Sequence, residues 1–481
     1  MKKKNQVCAV LTLALFVYSL VFGSTTSAIT IKEERELSKE FLRVIASRYH
    51  IVDDPVITDY VNKVGKKILA AFPTQLFSYH FYVIKEDSLN AFASPAGHIF
   101  INSGLFEALE SEEELAGIIG HEIAHVFCRH ISQRIGRATK MNLALLAGMM
   151  AGILLGSGGS AAAGNAVAVG SLAAGQSLSL SHSREDERQA DEIGLQYLTK
   201  AGYSGKGLLS SLQKIRSKQW LGSNIPNYLL THPASEERMA YIDGWLSRYR
   251  KRNSDIKSKS SADSKEFKRV HTRVVAKYIE ASVAQNRFKN ILNQNPKDPM
   301  AHYGYGMLLS RLGNHTEAVK HLKKALEPSA LNPYYLMELG WTYFSEGSYE
   351  NAVAILTSAT EILNDINGKF YLGRAQMELG KLDEAIQKFE EVIKEKSNFN
   401  QVYYYLGEAY GKLDNLEEAH YNLGIYYYNK QDFKNTRFHL NRAVKILRDS
   451  EKRKEAKQML AELPRRINNH EEEKNKRKII P

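Results

Sequence analysis

The sequence predicts a mainly α-helical chain in two parts: an α+β domain with a small sheet that ends in an edge strand, then an α-solenoid. Three observations predict this fold class. Residues 29–247 mix helical and strand patterns, a basic Ser/Lys-rich stretch follows, and the chain beyond 274 is helical with a repeat near 34 residues. A length of 481 residues suits two or three domains.

Composition excludes several broad classes of protein. Hydrophobic residues make up 43% and charged residues 25% of the chain, as in ordinary globular proteins, which excludes a collagen-like, fully disordered or multi-span membrane chain. Two cysteines exclude a disulfide scaffold. The formal net charge is +12, but it is not gathered into one aromatic-rich patch, so we do not expect nucleic acid as a partner.

Residues 1–28 have the layout of a secretory signal peptide. Three lysines at positions 2–4 precede an apolar run from Val7 to Gly23, and small residues lead to Ala28. We predict cleavage after Ala28. The alternative is an uncleaved membrane anchor, because the apolar run approaches the length that spans a bilayer.

A domain boundary is predicted at 248–273, which is rich in Ser, Lys and Arg and contains almost no apolar residue. This composition is typical of a solvated linker. The alternative is a basic patch that is attracted to anionic lipid headgroups. The domains are therefore predicted at 29–247 and 274–463, with a charged disordered tail at 464–481.

The second domain carries an internal repeat. Its marker glycines are Gly306, Gly340, Gly373 and Gly407, spaced 34, 33 and 34 residues apart, and an alanine stands twelve residues after each. Small residues at a fixed spacing let two helices approach closely. The pattern resembles the tetratricopeptide repeat (TPR). Gly424 follows after half a repeat, which predicts that one helix serves two overlapping repeats.

The strongest chemical motif is His121-Glu122-Ile123-Ala124-His125. Ser111 and Glu114 form the pattern of a capping box before it, which predicts that the motif lies on a helix. Residues four apart share a helix face, so His121 and His125 can bind one metal ion. Glu122 lies beside them, where it can hold a water molecule as a general base.

A second motif supplies the third ligand that a catalytic zinc needs. Ser183 can cap a new helix, on which Glu187 and Asp191 share one face. Glu187 completes a His/His/Glu site. Asp191 can accept an N–H from a ligand histidine and fix its tautomer. Cys128 is not expected to be a ligand, because three are already present.

Together these motifs resemble the zinc metalloprotease family that includes HtpX and the CAAX prenyl proteases. The secreted, TPR-bearing arrangement resembles its BepA-like periplasmic branch. The resemblance implies one Zn²⁺ per chain bound by His121, His125 and Glu187, with Glu122 as catalytic base and Asp191 behind the ligands.

Two further matches extend the resemblance. Asn90, Ala91, Phe92 and Ala93 resemble the family's edge strand, which holds an extended substrate by main-chain pairing. The family usually has two glycines after the following proline, whereas Ala96-Gly97 stands here. Thr231-His232-Pro233, followed by Arg238, resembles a motif whose histidine is a removable fourth zinc ligand, so His232 is predicted as a regulatory or fourth metal ligand.

The resemblance implies a secreted endopeptidase of the periplasm, associated with the outer membrane. Its expected partners are unfolded or misassembled envelope proteins and, through the TPR groove, the outer-membrane assembly machinery. The apolar segment 141–180 is expected to be core or a lid, or a surface in peripheral contact with the membrane. The alternative functions are a metal-gated chaperone or scaffold with conditional proteolysis, and a purely structural zinc site.

Overall fold

The computed structural model describes residues 29–137, 183–221, 227–233, 236–252 and 264–478. The predicted signal peptide and the apolar segment 141–180 lie outside these residues. In the described ranges no helix is both long and apolar enough to cross a membrane. The chain divides into two compact units, with the division between Val283 and Ala284. The described residues are mainly helical with one small sheet and a helical-repeat second unit, as predicted.

The first unit packs helices around a three-stranded sheet. Its elements are α1 (Ile31–Arg48), α2 (Pro55–Leu69), β1 (His80–Ile84), β2 (Ala91–Ser94), β3 (His98–Asn102), α3 (Ser103–Ala108), α4 (Glu112–Phe127), α5 (His130–Arg137), α6 (Arg184–Lys200), α7 (Lys206–Leu221), α8 (Asn227–Thr231), α9 (Glu236–Arg252) and α10 (Lys265–Tyr278).

The strand order in the sheet is β1-β3-β2. β1 pairs parallel to β3 with His80 opposite His98, and β2 pairs antiparallel to β3 with Phe92 opposite Phe100. β2 therefore lies at one edge of the sheet, in agreement with its predicted place. All four of its residues are buried.

Helix α4 forms the centre of this unit. Every residue of α4 from Glu113 to Val126 is buried, because the helix packs against α6, α7 and the sheet. Gly207 lies in the first turn of α7, where this helix contacts α4. A Cβ added at Gly207 would lie 1.8 Å from the carbonyl oxygen of Glu113. Only glycine allows so close an approach of the two backbones.

Helix α10 lies in the last part of the segment for which the sequence predicts a linker. Its residues Phe267 and Val270 are buried in the main core. Arg273 on the same helix donates to Asp54, the N-cap residue of α2, across 2.6 Å. The basic composition of 248–273 conceals this apolar face, because the buried residues recur only at helical spacing among many charged ones.

The solenoid follows as pairs of antiparallel helices. Its helices are α11 (Ala281–Gln294), α12 (Pro299–Arg311), α13 (His315–Leu326), α14 (Pro333–Glu346), α15 (Tyr349–Leu363), α16 (Ile366–Glu378), α17 (Leu382–Glu395), α18 (Asn400–Lys412), α19 (Leu416–Asn429), α20 (Phe433–Ile446) and α21 (Ser450–Lys478). α21 continues through Pro464, so the segment predicted as a disordered tail begins within a helix.

The marker glycines lie where the two helices of each repeat cross. A Cβ added at Gly306 would lie 2.7 Å from Leu322, and the same sixteen-residue relation holds between Gly340 and Leu356. The other pairs with this spacing are Gly373 with Phe389, Gly407 with Leu423, and Gly424 with Leu440. The repeat therefore depends on a close contact that has no room for a methyl group.

Helix α19 takes part in two such crossings. Leu423 of α19 packs against Gly407 of α18, while Gly424 of α19 packs against Leu440 of α20. This confirms the predicted overlap, in which one helix is the second helix of one repeat and the first helix of the next.

Two of the repeats contain a histidine pair at equivalent positions. His302 and His321 lie four residues before and fifteen after Gly306, and their Nδ1 atoms are 2.8 Å apart. His420 and His439 stand in the same relation to Gly424, with their Nδ1 atoms 2.9 Å apart. Both distances fit an N–H···N hydrogen bond between neutral rings, which joins the two helices of the repeat.

We expect opposite effects from two glycine substitutions on α18. Gly407→Ala should destabilise the protein by about 1–3 kcal/mol, because the new methyl group overlaps Leu423 at 2.7 Å. Gly411→Ala is the matched control: its Cβ meets only Ala419 at 3.9 Å, so improved helix propensity should stabilise by up to about 1 kcal/mol. Urea unfolding measures both, and a destabilisation of equal size in the two variants would contradict the crossing contact.

The histidine pairs predict acid sensitivity of the repeats. Burial, and then the paired ring, lowers the pKa of His321 and of His439 to about 4. The unfolded chain takes up these protons below about pH 6.5, so the stability that the pairs contribute is complete above that pH. It is lost as the pH falls from 6.5 to 4, by about 1 kcal/mol per pair once solvent screening is discounted.

Thermal unfolding followed by circular dichroism between pH 7.5 and 4 measures this loss. The double variant His321→Asn/His439→Asn should start less stable and show a flatter pH dependence. If wild type and variant lost stability in parallel over this range, the pairs would not be the source.

Candidate metal centre

Helix α4 positions the first motif. Ser111 caps the helix by accepting the Glu114 backbone N–H across 3.3 Å. The predicted capping box forms only in part, because the Glu114 carboxylate accepts from Glu110 N at 2.7 Å and pairs with Lys214. One turn of helix separates His121 from His125, and the two Nε2 atoms lie 3.0 Å apart.

Helix α6 positions the second motif. Ser183 and Asp186 form a reciprocal capping box, with both hydrogen bonds 3.1 Å long. α6 crosses α4 at Gly194, where an added Cβ would lie 3.2 Å from the carbonyl oxygen of Gly120. This close crossing brings Glu187 and Asp191 against His121.

Four side chains converge on one point. His121, His125, Glu187 and His232 each present a ligand atom, and these atoms all lie within 4.8 Å of one another. His232 Nδ1 is 2.9 Å from Glu187 Oε1 and 3.3 Å from His121 Nε2. Each of the four is at most 2% exposed. The structure thus brings the three predicted ligands and the predicted fourth together in one buried cluster.

Arg238 and Asp191 support the cluster from behind. Asp191 Oδ1 lies 3.0 Å from His121 Nδ1, the position predicted for it. The Arg238 guanidinium donates to both oxygens of Asp191, at 2.7 and 2.8 Å, and its Nη1 lies 2.6 Å from Glu187 Oε2. One buried cation therefore holds two of the acidic side chains in place.

Glu122 lies beside the ligands but does not join them. Both of its carboxylate oxygens are buried and lack a hydrogen-bond partner among the described residues. Its Oε1 lies 3.7 Å from His232 Nε2, which is too far for a hydrogen bond. A buried carboxylate without a partner is costly, so its place here needs a functional explanation.

The charges in the cluster explain its protonation. Burial would raise the pKa of Glu187 and of Asp191, but Arg238 leads the effects that hold both below their ordinary values. Burial, and next His121, lowers the pKa of His125 well below its usual range, which leaves a neutral imidazole. Burial and Arg238 act to lower the pKa of His121, but Glu187 and Asp191 outweigh them and raise it to about 9.

The donor set fits a divalent metal ion. Two imidazoles and one carboxylate are the ligands of a catalytic zinc site, and binding would displace the proton from His121. The carboxylates of Glu122, Glu187 and Asp191 with the guanidinium of Arg238 have a formal charge of −2. A dication would neutralise this buried charge, and a water molecule at the metal would give Glu122 its missing partner.

The turn after the edge strand differs from the family pattern. Ala96 has φ of 61°, a left-handed conformation that glycine adopts more easily, and Gly97 follows with φ of 94°. The Ala96 N–H donates to the Glu34 carboxylate across 3.3 Å. This contact connects the turn after β2 to α1.

Several residues of the site carry no signal in the sequence. His130 lies 2.9 Å from His125 across their Nδ1 atoms and 2.8 Å from Gln189 Oε1. Tyr228 stacks on His232 with ring centroids 4.7 Å apart. Helical spacing could not find His130, because it follows His125 by five residues across a turn.

Comparison with known proteins assigns the class. Residues 55–246 match Peptidase family M48, and residues 280–333, 333–362 and 373–414 match tetratricopeptide repeat families. The chain therefore carries a Peptidase M48 domain with C-terminal TPR repeats, and it is a metalloendopeptidase.

Individual proteins that are similar to this chain extend the comparison beyond the family. The chain is 27% identical over 345 residues to a beta-barrel assembly-enhancing protease of Yersinia pestis. The aligned region covers 71% of this chain and 69% of that protein. It is 26% identical over 366 residues to the Escherichia coli (strain K12) protein of the same name, covering 73% of each. The mitochondrial metalloendopeptidase OMA1 of Schizosaccharomyces pombe is 26% identical over 224 residues, 44% of this chain and 61% of that protein.

Proposed function

We propose that this chain is a zinc endopeptidase that hydrolyses misfolded or stalled proteins of the bacterial envelope. The observation that carries the proposal is the buried Glu122 carboxylate, which has no hydrogen-bond partner in the described part of the chain and lies next to a His/His/Glu donor set. A purely structural metal site would have no use for such a base. The bacterial relatives that the chain matches over about 70% of its length are named for beta-barrel assembly, which supports the envelope as the site of action.

Zinc held by His121, His125 and Glu187 would supply Lewis acidity, which polarises a peptide carbonyl and makes a water molecule more acidic. Glu122 accepts the proton of the attacking water and passes it to the leaving amine. Asp191 keeps the His121 ring in orientation through its Nδ1 contact of 3.0 Å.

Strand β2 is the proposed substrate surface. It ends the sheet, but Asn90, Ala91, Phe92 and Ala93 are buried, so an extended substrate would add to this edge by main-chain hydrogen bonds only after the covering segments move. Main-chain pairing reads few side chains, which suits an enzyme with many clients.

His232 is proposed to keep the resting enzyme latent. Its position in the ligand cluster supports a fourth-ligand role, which would close the coordination position that substrate and water need. His232 lies in the connection after α8. The second residue of α8, Tyr228, donates its backbone N–H to the Leu89 carbonyl, just before the edge strand. Substrate at the edge strand could therefore move His232 without unfolding a long helix.

The burial of the cluster favours an alternative, a metal-gated chaperone or scaffold with conditional proteolysis. Glu122 is 0% exposed, so substrate can reach it only after a movement. A cavity lined by Glu187, Asp191, Arg238 and Tyr241 opens beside the cluster, but Glu122 and the ligand histidines do not line it. In this alternative the closed state predominates and binding is the main activity.

We propose export to the periplasm through residues 1–28 and an association with the outer membrane. We propose a separate task for each of the two domains predicted from the sequence, the protease domain and the TPR module. The TPR module recruits clients or the outer-membrane assembly machinery, and the protease domain cleaves those that stall.

Glu122→Gln should keep zinc but lose casein hydrolysis by about 10²–10⁴-fold, because only the general base is removed. Metal content by mass spectrometry and digestion of casein measure the two effects. Glu192→Gln is the control. Glu192 follows Asp191 on α6, but its side chain is exposed. Wild-type cleavage by zinc-loaded Glu122→Gln would refute Glu122 as the base.

His232→Ala should raise the basal rate of casein cleavage, by about tenfold or more if the closed state lies at least about 1.4 kcal/mol below the open one. His80→Ala, an exposed histidine on β1, should leave the rate unchanged. Loss of activity in His232→Ala would make this residue a substrate contact. An unchanged rate with unchanged zinc spectra would remove it from the site.

A further inference from the structure

We infer that His130 and Gln189 form a relay that fixes the tautomer of His125 and so prepares it as a metal ligand. His130 is a positioning residue in this relay. The inference rests on the proposed zinc site and concerns residues for which the metal-binding motifs assign no role.

The relay runs from the surface to the buried ligand. Gln189 is exposed on α6, and its Oε1 lies 2.8 Å from His130 Nε2. His130 is only 1% exposed, and its Nδ1 lies 2.9 Å from His125 Nδ1. On its other side His125 presents Nε2 to the cluster, 3.4 Å from Glu187 Oε1.

The backbone turn between α4 and α5 makes this contact. α4 ends at Phe127, and Arg129 then adopts a left-handed φ of 55°. The Arg129 guanidinium is bound to the Glu34 carboxylate at 2.7 and 2.9 Å and anchors the turn. This turn places His130 against the ring of His125.

Proton accounting gives the relay its direction. An amide oxygen can only accept, so His130 carries its proton on Nε2 and leaves Nδ1 as an acceptor. His125 must then donate from Nδ1, which leaves the lone pair of Nε2 for the metal. A reversed Gln189 amide would invert every bond and place a proton on His125 Nε2, where it would block coordination.

The two ligand histidines are thus supported by different chemistry. His121 has the Asp191 carboxylate behind it, whose charge Arg238 balances. His125 has a neutral imidazole and amide instead. Because three carboxylates are already buried around the ligands, a neutral relay orients the second ring without adding another buried charge.

Zinc affinity, measured on the full chain by competition with a chromophoric chelator, tests the relay. His130→Phe keeps an aromatic ring without its nitrogens and should weaken zinc binding by about 10–100-fold. Gln189→Leu should weaken it by about threefold to tenfold, because water can replace an exposed amide. Gln189→Glu keeps the acceptor and should stay closer to wild type than Gln189→Leu does.

Gln133→Leu is the matched control. Gln133 lies on the same helix, α5, and also makes one hydrogen bond, from its Nε2 to the Cys128 carbonyl at 2.8 Å. It should bind zinc as wild type does. An equal loss of affinity in this control would show a general effect on folding and overturn the relay.

Imidazole ¹⁵N–¹H correlation spectra of the zinc-loaded wild type give a readout that needs no variant to fold. A proton on His125 Nδ1 with zinc on Nε2 supports the relay, and the reverse arrangement overturns it. Wild-type affinity in both His130→Phe and Gln189→Leu also overturns it. A wild type that binds no zinc would instead refute the proposed function, and the relay with it.

Discussion

The buried guanidinium of Arg238 is the interaction on which the rest of the site depends. It binds Asp191 and Glu187 at once and donates to the Pro233 carbonyl at 3.4 Å, so it connects α6, α9 and the connection that carries His232. Without it, two carboxylates would repel each other in a buried space. Removing one partner from such a network leaves an uncompensated charge, which costs several kcal/mol. The orientation of His121, the ionisation of Glu187 and the place of His232 all follow from this one cation.

Features of both units could be predicted from the sequence alone. The solenoid is held by contacts between neighbouring helices, so its glycine spacing and the double use of α19 could be read directly from the chain. The cluster of His121, His125 and Glu187, with Asp191 behind it, could also be predicted, because His121 shares a helix face with His125 and Glu187 shares one with Asp191. In each case the informative contact lies within one or two helical turns or at a fixed repeat.

What the sequence could not show depends on turns and on distant partners. The capping box predicted at the start of α4 forms only in part, because the Glu114 carboxylate pairs with Lys214, a hundred residues further along the chain. His130 reaches His125 only through the left-handed turn at Arg129. The apolar face of α10 is hidden in a segment whose average composition is that of a linker. Spacing rules describe regular helices, and each of these features lies where a helix ends or two distant segments meet.

The position of β2 at the edge of the sheet has a consequence for which proteins this enzyme can recognise. If substrate pairs with β2 as proposed, a client must offer several consecutive residues in extended form, and a native protein does so only when a segment opens locally. When such opening is fast relative to cleavage, the cleavage rate follows the fraction of clients that are open. Under the proposed function, the property that separates cleaved clients from spared proteins is therefore the free energy of local opening of the client itself. A protein that assembles promptly would be spared because its edge is already paired, whatever its sequence.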